Sequence, residues 1–137
     1  MKKVLIPIDG SDDSFRAAIK ARDLIDCRNC DVEFLYVEDF QPYIISSLPQ
    51  DIIEIAERKK DEILEKARQR FKDSFRSVRT VALKGDPATE ITEYAKKGDF
   101  DMVIMGSHGM GAAKRFLLGS VANKVVLDIN KPILIVK

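Results

Sequence analysis

Short apolar runs alternate along this chain with longer stretches in which apolar residues return every three or four positions. Residues 3–9, Lys-Val-Leu-Ile-Pro-Ile-Asp, predict a buried first strand with Pro7 interrupting the ladder near its end. Gly10 and Ser11 then turn the chain. Ser11 is expected to cap a helix that carries Asp12 and Asp13 in its first turn, where negative charge suits the dipole, and Ala17, Ala18, Ala21, Leu24 and Ile25 on one face. Asp26 to Asp31 closes that unit, and Val32 to Val37 predicts a second strand. The loop over 38–50, with Glu38, Asp39, Pro42 and Pro49, shows no periodicity. From Asp51 to about Phe71, Ile52, Ile53, Ala56, Ile63, Leu64, Ala67 and Phe71 recur at helical spacing opposite a face of Lys, Arg and Glu. On that charged face Glu57 and Asp61 are expected to repel and Glu62 and Lys66 to attract, each by about 0.2–0.5 kcal/mol, so the apolar face decides stability. Val78 to Leu83 predicts a third strand. Asp86 and Pro87 open a third helix as N-cap and first helical residue, and Lys96, Lys97 and Gly98 end it.

The fourth apolar run, Met102 to Met105, leads into a change of character: Gly106, Gly109 and Gly111 fall close together, with Ser107 and His108 between them. Gly119 and Ser120 follow, then Val121, Ala122, Val125, Val126 and Ile129 at helical spacing with Ser120 expected near the N-cap. Pro132 to Val136 predicts a fifth strand. The resulting β-α-β-α-β-α-β-α-β order, with no hairpin signal between neighbours, implies a single-domain α/β fold over 1–137: a doubly wound, five-stranded parallel sheet with helices on both faces. Such sheets bind ligands beyond the strands' carboxyl ends, where strand order reverses. Asp9, Gly10 and Gly106 are therefore the places to look, with Val37 and Glu38 beside them if the second strand neighbours the first.

Composition narrows the partners. The 137 residues suit one globular core, and 23 Lys+Arg against 22 Asp+Glu leave a net charge of +1, which argues against nucleic acid or an anionic membrane as partner. The N-terminal apolar run is broken by Pro7 and Asp9, so neither a secretory segment nor a membrane span is expected; a cytoplasmic protein is. Cys27 and Cys30 form a C-x-x-C pair that could be a redox dithiol or half a zinc site. Cys27 follows a helix C-terminus, which would raise its pKa, and two thiolates with one distant His108 leave a zinc ligand set incomplete. A bland surface loop is the favoured expectation, and no metal-binding side chains are assigned.

Two nucleotide fingerprints are absent. There is no G-x-x-x-x-G-K-[ST], and Gly10 stands alone after the first strand, where a dinucleotide fold has G-x-G-x-x-G. What stands there is Gly106-x-x-Gly109, nine residues, then Gly119-Ser120, at a strand end and a helix start where backbone N–H groups form an anion site. In this signature, in the opening Ile6-Pro7-Ile8-Asp9-Gly10-Ser11, and in the stretches Arg115 to Val121 and Lys131 to Val136, the chain resembles the universal stress protein family in its ATP-binding branch.

The resemblance implies an adenine nucleotide alpha hydrolase-like fold. It puts ATP phosphates in the loop of Gly106, Ser107, His108 and Gly109 and against Gly119 and Ser120, with Val121 adjacent. It implies that Asp9 meets the ribose or a nearby polar group, that Val37 meets the adenine through its backbone, and that Pro7, Ile8 and Met105 line base and sugar. Mg or Mn on the phosphates is compatible with it. The residues alone leave Asp9 evenly divided between this role and a turn role, and leave Lys114 and Arg115 between phosphate and water. A nucleotide-dependent regulatory or stress-response protein acting on an unidentified protein partner is the first expectation. A slow ATP hydrolase is the alternative, since hydrolysis needs a positioned water, a metal and a base, and His108 is the only neutral-pH base candidate; no catalytic residue is assigned. The family likeness also implies a homodimer through Ile133 to Val136, an apolar strand that would need cover at a sheet edge.

Overall fold

The computed structural model describes residues 2–40, 46–109 and 118–137. Strands β1 (Lys2–Pro7), β2 (Cys30–Glu38), β3 (Ser77–Lys84), β4 (Met102–Gly106) and β5 (Ile133–Val136) form one sheet in the order β3-β2-β1-β4-β5. Every pairing is parallel, as the absence of hairpin signals implied. Helices α1 (Asp12–Leu24), α2 (Gln50–Phe71), α3 (Pro87–Lys97) and α4 (Ser120–Asp128) make the crossovers among the described residues.

The sheet is buried on both faces, which is why its strands read as continuous apolar runs. Along β1 the pleat sends Val4 and Ile6 to one layer, with Phe15, Ala17, Ala18, Ala21, Phe34, Phe71 and Ile104. It sends Leu5 to the other, with Leu35, Ile91, Ala95, Val103, Met105, Ala122 and Val125. Each large side chain so removed from water contributes about 1.5–3 kcal/mol. The alanine face of α1 keeps that helix close to the sheet. Pro7 is the last residue of β1, paired in register with Leu35, and the missing donor is made up at once by Ile8 N–H bonding the Leu35 carbonyl at 2.8 Å. Gly10, at φ +88°, then makes the turn that a side chain would strain.

Several expected boundaries and faces shift. Strand β1 ends at Pro7, two residues before Asp9, and β2 begins at Cys30, two before Val32. Leu24 is 58% exposed because α1 ends there, beyond the core. Ile52 is also exposed: α2, at 22 residues, is about 33 Å long against about 26 Å for the eight-residue β3, so its first turns overhang the carboxyl ends of the strands. The expected repulsion between Glu57 and Asp61 is offset, since Lys60 hydrogen-bonds Glu57 and lies 3.6 Å from Asp61. At the other end of the sheet Cys27 and Cys30 flank a 3-10 turn, Cys27–Asn29. The Cys27 thiol donates to the Arg22 carbonyl at 3.0 Å at the end of α1. Burial, more than the helix end, pushes the Cys27 thiol up, and pushes Cys30 to about 11.

Candidate functional site

Strand order reverses at β1, whose neighbours are β2 on one side and β4 on the other. Beyond the carboxyl ends of these three strands lies a cavity of about 380 Å³. Pro7, Ile8 and Asp9 reach it from β1, Val37 from β2, Met105 and Gly106 from β4, His108 and Gly109 from the following loop, and Gly119, Ser120 and Val121 from the start of α4. Among the described residues singled out in the sequence, Ser107, Gly10 and Glu38 stay out of the lining. Ser107 is the one of these that the resemblance put at the phosphates. It is 2% exposed and works behind the loop: its N–H bonds the Val136 carbonyl at 2.9 Å, and its carbonyl accepts from Gly119 N–H at 2.6 Å. That last bond folds the end of β4 onto the start of α4. Lys114, Arg115 and the rest of 110–117 lie outside the described residues, as do 41–45 of the preceding loop.

Asp9 takes both of the positions the sequence left open. Its Oδ1 accepts from Ser11 N–H at 2.9 Å, an Asx turn into α1, and the same carboxylate lies on the cavity. Gly109 is so close that a Cβ there would collide with Asp9 Oδ2. Gly106 is crowded from the other side: a Cβ would lie 2.7 Å from the carbonyl oxygen of Asp13, so the absent side chain is what lets the first turn of α1 rest on the end of β4. That packing buries Asp13, whose Oδ1 accepts from Arg16 at 2.7 Å and whose Oδ2 lies 3.7 Å from His108 Nδ1. Ser107 Oγ also lies 3.0 Å from His108 Nδ1.

Helix α4 is capped by Gly119, not Ser120; Ser120 is the first helical residue, and no side chain caps the helix. A small residue fits here because Gly119 sits against Ser107 and His108, with a Cβ predicted 3.2 Å from the Ser107 carbonyl oxygen. The first N–H groups of α4 have no partner within the helix and meet the cavity at Ser120 and Val121. The dipole behind them contributes about 0.3–2 kcal/mol to an anion.

The cavity has further walls that sequence pattern did not assign. Tyr36, Asp39 and Lys59 lie on the side of α2, and Ser14, Pro87 and Ile91 also line it. Lys59 belongs to a charged face that periodicity assigns to solvent, but it follows Glu57, which lies level with the ends of β2 and β3, and so reaches the cavity. Asp13 had a signal, an acidic residue in a helix first turn, which explains its dipole role and not its contact with His108. Burial pushes the Tyr36 phenol up, with the nearby Glu38 and Asp9 charges adding to it. Among the described residues no three His, Cys, Asp or Glu side chains converge to hold a metal ion.

The profile of the universal stress protein family matches residues 1–137. The chain is 36% identical to the universal stress protein MJ0531 of Methanocaldococcus jannaschii over 99% of its own length and 82% of that protein's. Among solved structures, MJ0577 of the same organism superposes with a TM-score of 0.89 at 29% identity, covering 99% of this chain and 95% of that one. Two further structures share the fold: a universal stress protein in complex with cAMP, at TM-score 0.77 and 24% identity over 99% and 97% of the two chains, and one from Archaeoglobus fulgidus in complex with dAMP, at 0.72 and 21% over 100% and 98%. With its whole length matched and its glycine signature gathered at one cavity, the chain belongs to the universal stress protein family.

Proposed function

We propose that this protein binds ATP in the cavity at the β1, β2 and β4 ends, and that the bound nucleotide sets the shape of the surrounding loops for a protein partner. The observation that carries this is the convergence of Asp9, Val37, Gly106, Gly109, Gly119 and Ser120, far apart in sequence, on one cavity. Its volume of about 380 Å³ falls within the range of roughly 300–1,000 Å³ usual for small-molecule sites. The adenine would lie at the Val37 backbone with Pro7, Ile8 and Met105, the ribose at Asp9, and the phosphates between Gly106 and Gly109 and at Gly119, Ser120 and Val121. Family members of the same fold in complex with cAMP and dAMP support an adenine nucleotide as the ligand class.

Micromolar binding needs about 8 kcal/mol. The α4 dipole supplies a minor share, so backbone N–H bonds, the Ser120 hydroxyl and burial of the adenine must supply most of it. A Mg or Mn ion accompanying the phosphates would take most ligands from them and from water, with Asp9 as the nearest carboxylate of the β1 end. Slow hydrolysis is the second reading, favoured only by His108 standing at the cavity with Asp13 and Ser107 behind it. A homodimer through the edge strand β5 and a cytoplasmic setting complete the proposal.

Denaturing the purified protein and identifying the released small molecules by chromatography and mass tests the ligand. Adenine nucleotide at near-stoichiometric amount supports the reading; none released, together with none taken up on incubation with ATP, refutes it. Multi-turnover phosphate release abolished by His108→Ala would favour the hydrolase instead.

A further inference from the structure

Glu38 is the last residue of β2 and is 4% exposed. Val37 packs into the layer of α3 and α4, so the pleat turns the next side chain toward α2. There it meets a compact set of charges. From α2 come Glu57 and Lys60, hydrogen-bonded to each other, with Asp61 3.6 Å from Lys60. From β3 comes Lys84, 3.3 Å from Glu57 Oε1 and 3.8 Å from Glu38 Oε2. Tyr36 of β2, with Asp9 beyond it, completes the surroundings.

Lys60 and Lys84 both bind Glu57, while Glu38 has the long approach of Lys84 and the nearby charge of Lys60. Glu38 Oε1 is buried and has no hydrogen-bond partner among the described residues. An ionised carboxylate in that position is costly, and a protonated one that donates to the Glu57 carboxylate is not. Burial first, and the Glu57 charge second, push the Glu38 carboxyl above its ordinary 4.5, whereas the hydrogen bond from Lys60 holds Glu57 below it. Of the two carboxyls, Glu38 is therefore the one that takes up a proton first as pH falls.

Position gives this pair a consequence. The Glu38 carbonyl accepts from Phe40 N–H at 2.8 Å and Gly85 N–H at 2.9 Å, so this residue fixes the point where the chain leaves the sheet. Its sequence neighbours Val37 and Asp39 line the cavity, and so does Lys59, two residues after Glu57. The carboxyl pair thus sits behind two cavity walls.

We infer that Glu38 is a proton-linked positioning residue for the nucleotide cavity: protonated, it donates to Glu57 and ties the Val37–Asp39 wall to the Lys59 wall, and deprotonation releases the tie. This rests on the nucleotide reading above. In the ligand-free protein the stability from the tie is present below pH 4.5 and is lost as pH rises through the raised value of Glu38. Glutamine, which donates without titrating, keeps it throughout.

Adenosine, which has no titrating phosphate, is the probe. Its dissociation constant is measured from pH 5 to 8 for the wild-type protein and Glu38→Gln, and ligand-free melting curves are recorded over the same range. The wild type is expected to weaken by about fivefold or more with rising pH, the lower end of usual coupling between sites, beyond any change in the variant. Glu38→Gln is expected to hold the acidic-pH affinity across the range and to melt higher than wild type at pH 8. Every group other than Glu38 is the same in both proteins and cancels in the comparison. Identical pH profiles, or a variant weaker at every pH, overturn the inference. Neither adenosine nor ATP bound by either protein at any pH refutes the nucleotide reading and the cavity role with it; ATP bound without adenosine refutes the cavity role alone, and the melting curves still decide where the proton sits.

Discussion

Replacing Gly106 with alanine puts the junction of α1, β4 and the cavity under direct load. The added Cβ would lie 2.7 Å from the Asp13 carbonyl oxygen, 2.8 Å from its carbonyl carbon and 3.2 Å from its Cβ. Comfortable contact is about 3.5–4.0 Å, so α1 or the end of β4 must move by nearly an ångström. Two of the three atoms are backbone of a helix first turn, which cannot swing aside as the end of a side chain can. Overpacking of this kind costs about 1–3 kcal/mol. The opposing term, reduced freedom of the unfolded chain, returns about 0.4–1 kcal/mol. The middle of both ranges leaves a net loss of about 1.3 kcal/mol, and the largest clash about 2.6 kcal/mol. For a chain of this length that lowers Tm by about 3–5 °C per kcal/mol. Urea titration followed by circular dichroism, with a thermal melt beside it, reads both quantities. A variant as stable as the wild type would refute the close seating of α1 on β4, and with it the placement of Asp13 beside His108.

Other substitutions test separate parts of the molecule. Tyr94 donates to Glu33 Oε1 at 2.5 Å while Lys3 lies 3.0 Å from Oε2 of the same buried carboxylate; Tyr94→Phe is expected to cost about 1–3 kcal/mol in chemical denaturation. Burial, with the Glu33 hydrogen bond second, pushes that phenol to about 12, so the wild-type advantage over Tyr94→Phe is expected to hold below pH 10 and to disappear as pH rises through about 12. Asp86 caps α3 by accepting from Thr89 N–H at 3.0 Å and Thr89 Oγ1 at 2.8 Å, and Asp86→Ala should lose about 0.5–2 kcal/mol. Because hydrogen bonds from Thr89 hold the Asp86 carboxyl below 3.8, that loss should be complete above pH 3.8 and shrink as the solution is acidified further. Light scattering at micromolar concentration should give the mass of a dimer, and Ile135→Lys on the edge strand β5 should return it to monomer.

The sheet was legible because burial on both faces leaves a simple trace: short apolar runs such as Met102 to Met105, separated by helical periodicity. Caps were legible where a side chain makes them. Ser11 accepts from Ser14 N–H and Asp86 from Thr89 N–H, as their positions before charged or apolar periodic runs implied. Ser120 lies beside the cap, as expected: Gly119, whose N–H bonds the Ser107 carbonyl, is the N-cap and Ser120 the first helical residue. At the cavity, glycine spacing and strand ends pointed to the right segments. They did not point to Lys59 or Tyr36, since which residues of a helix lie level with the strand ends, and which strand face meets that helix, leave no mark in periodicity. They named Glu38 only as a strand end beside the site; its burial and its oxygen without a partner come from the packing around it.

Calorimetric titration of ATP into protein freed of bound nucleotide tests the central proposal most directly. One site per chain with a micromolar dissociation constant, weakened at least tenfold by Gly109→Val, which would drive a branched side chain into Asp9 and the phosphate loop, is the predicted result. No heat of binding up to millimolar ATP, or equal affinity in the Gly109→Val protein, would contradict it.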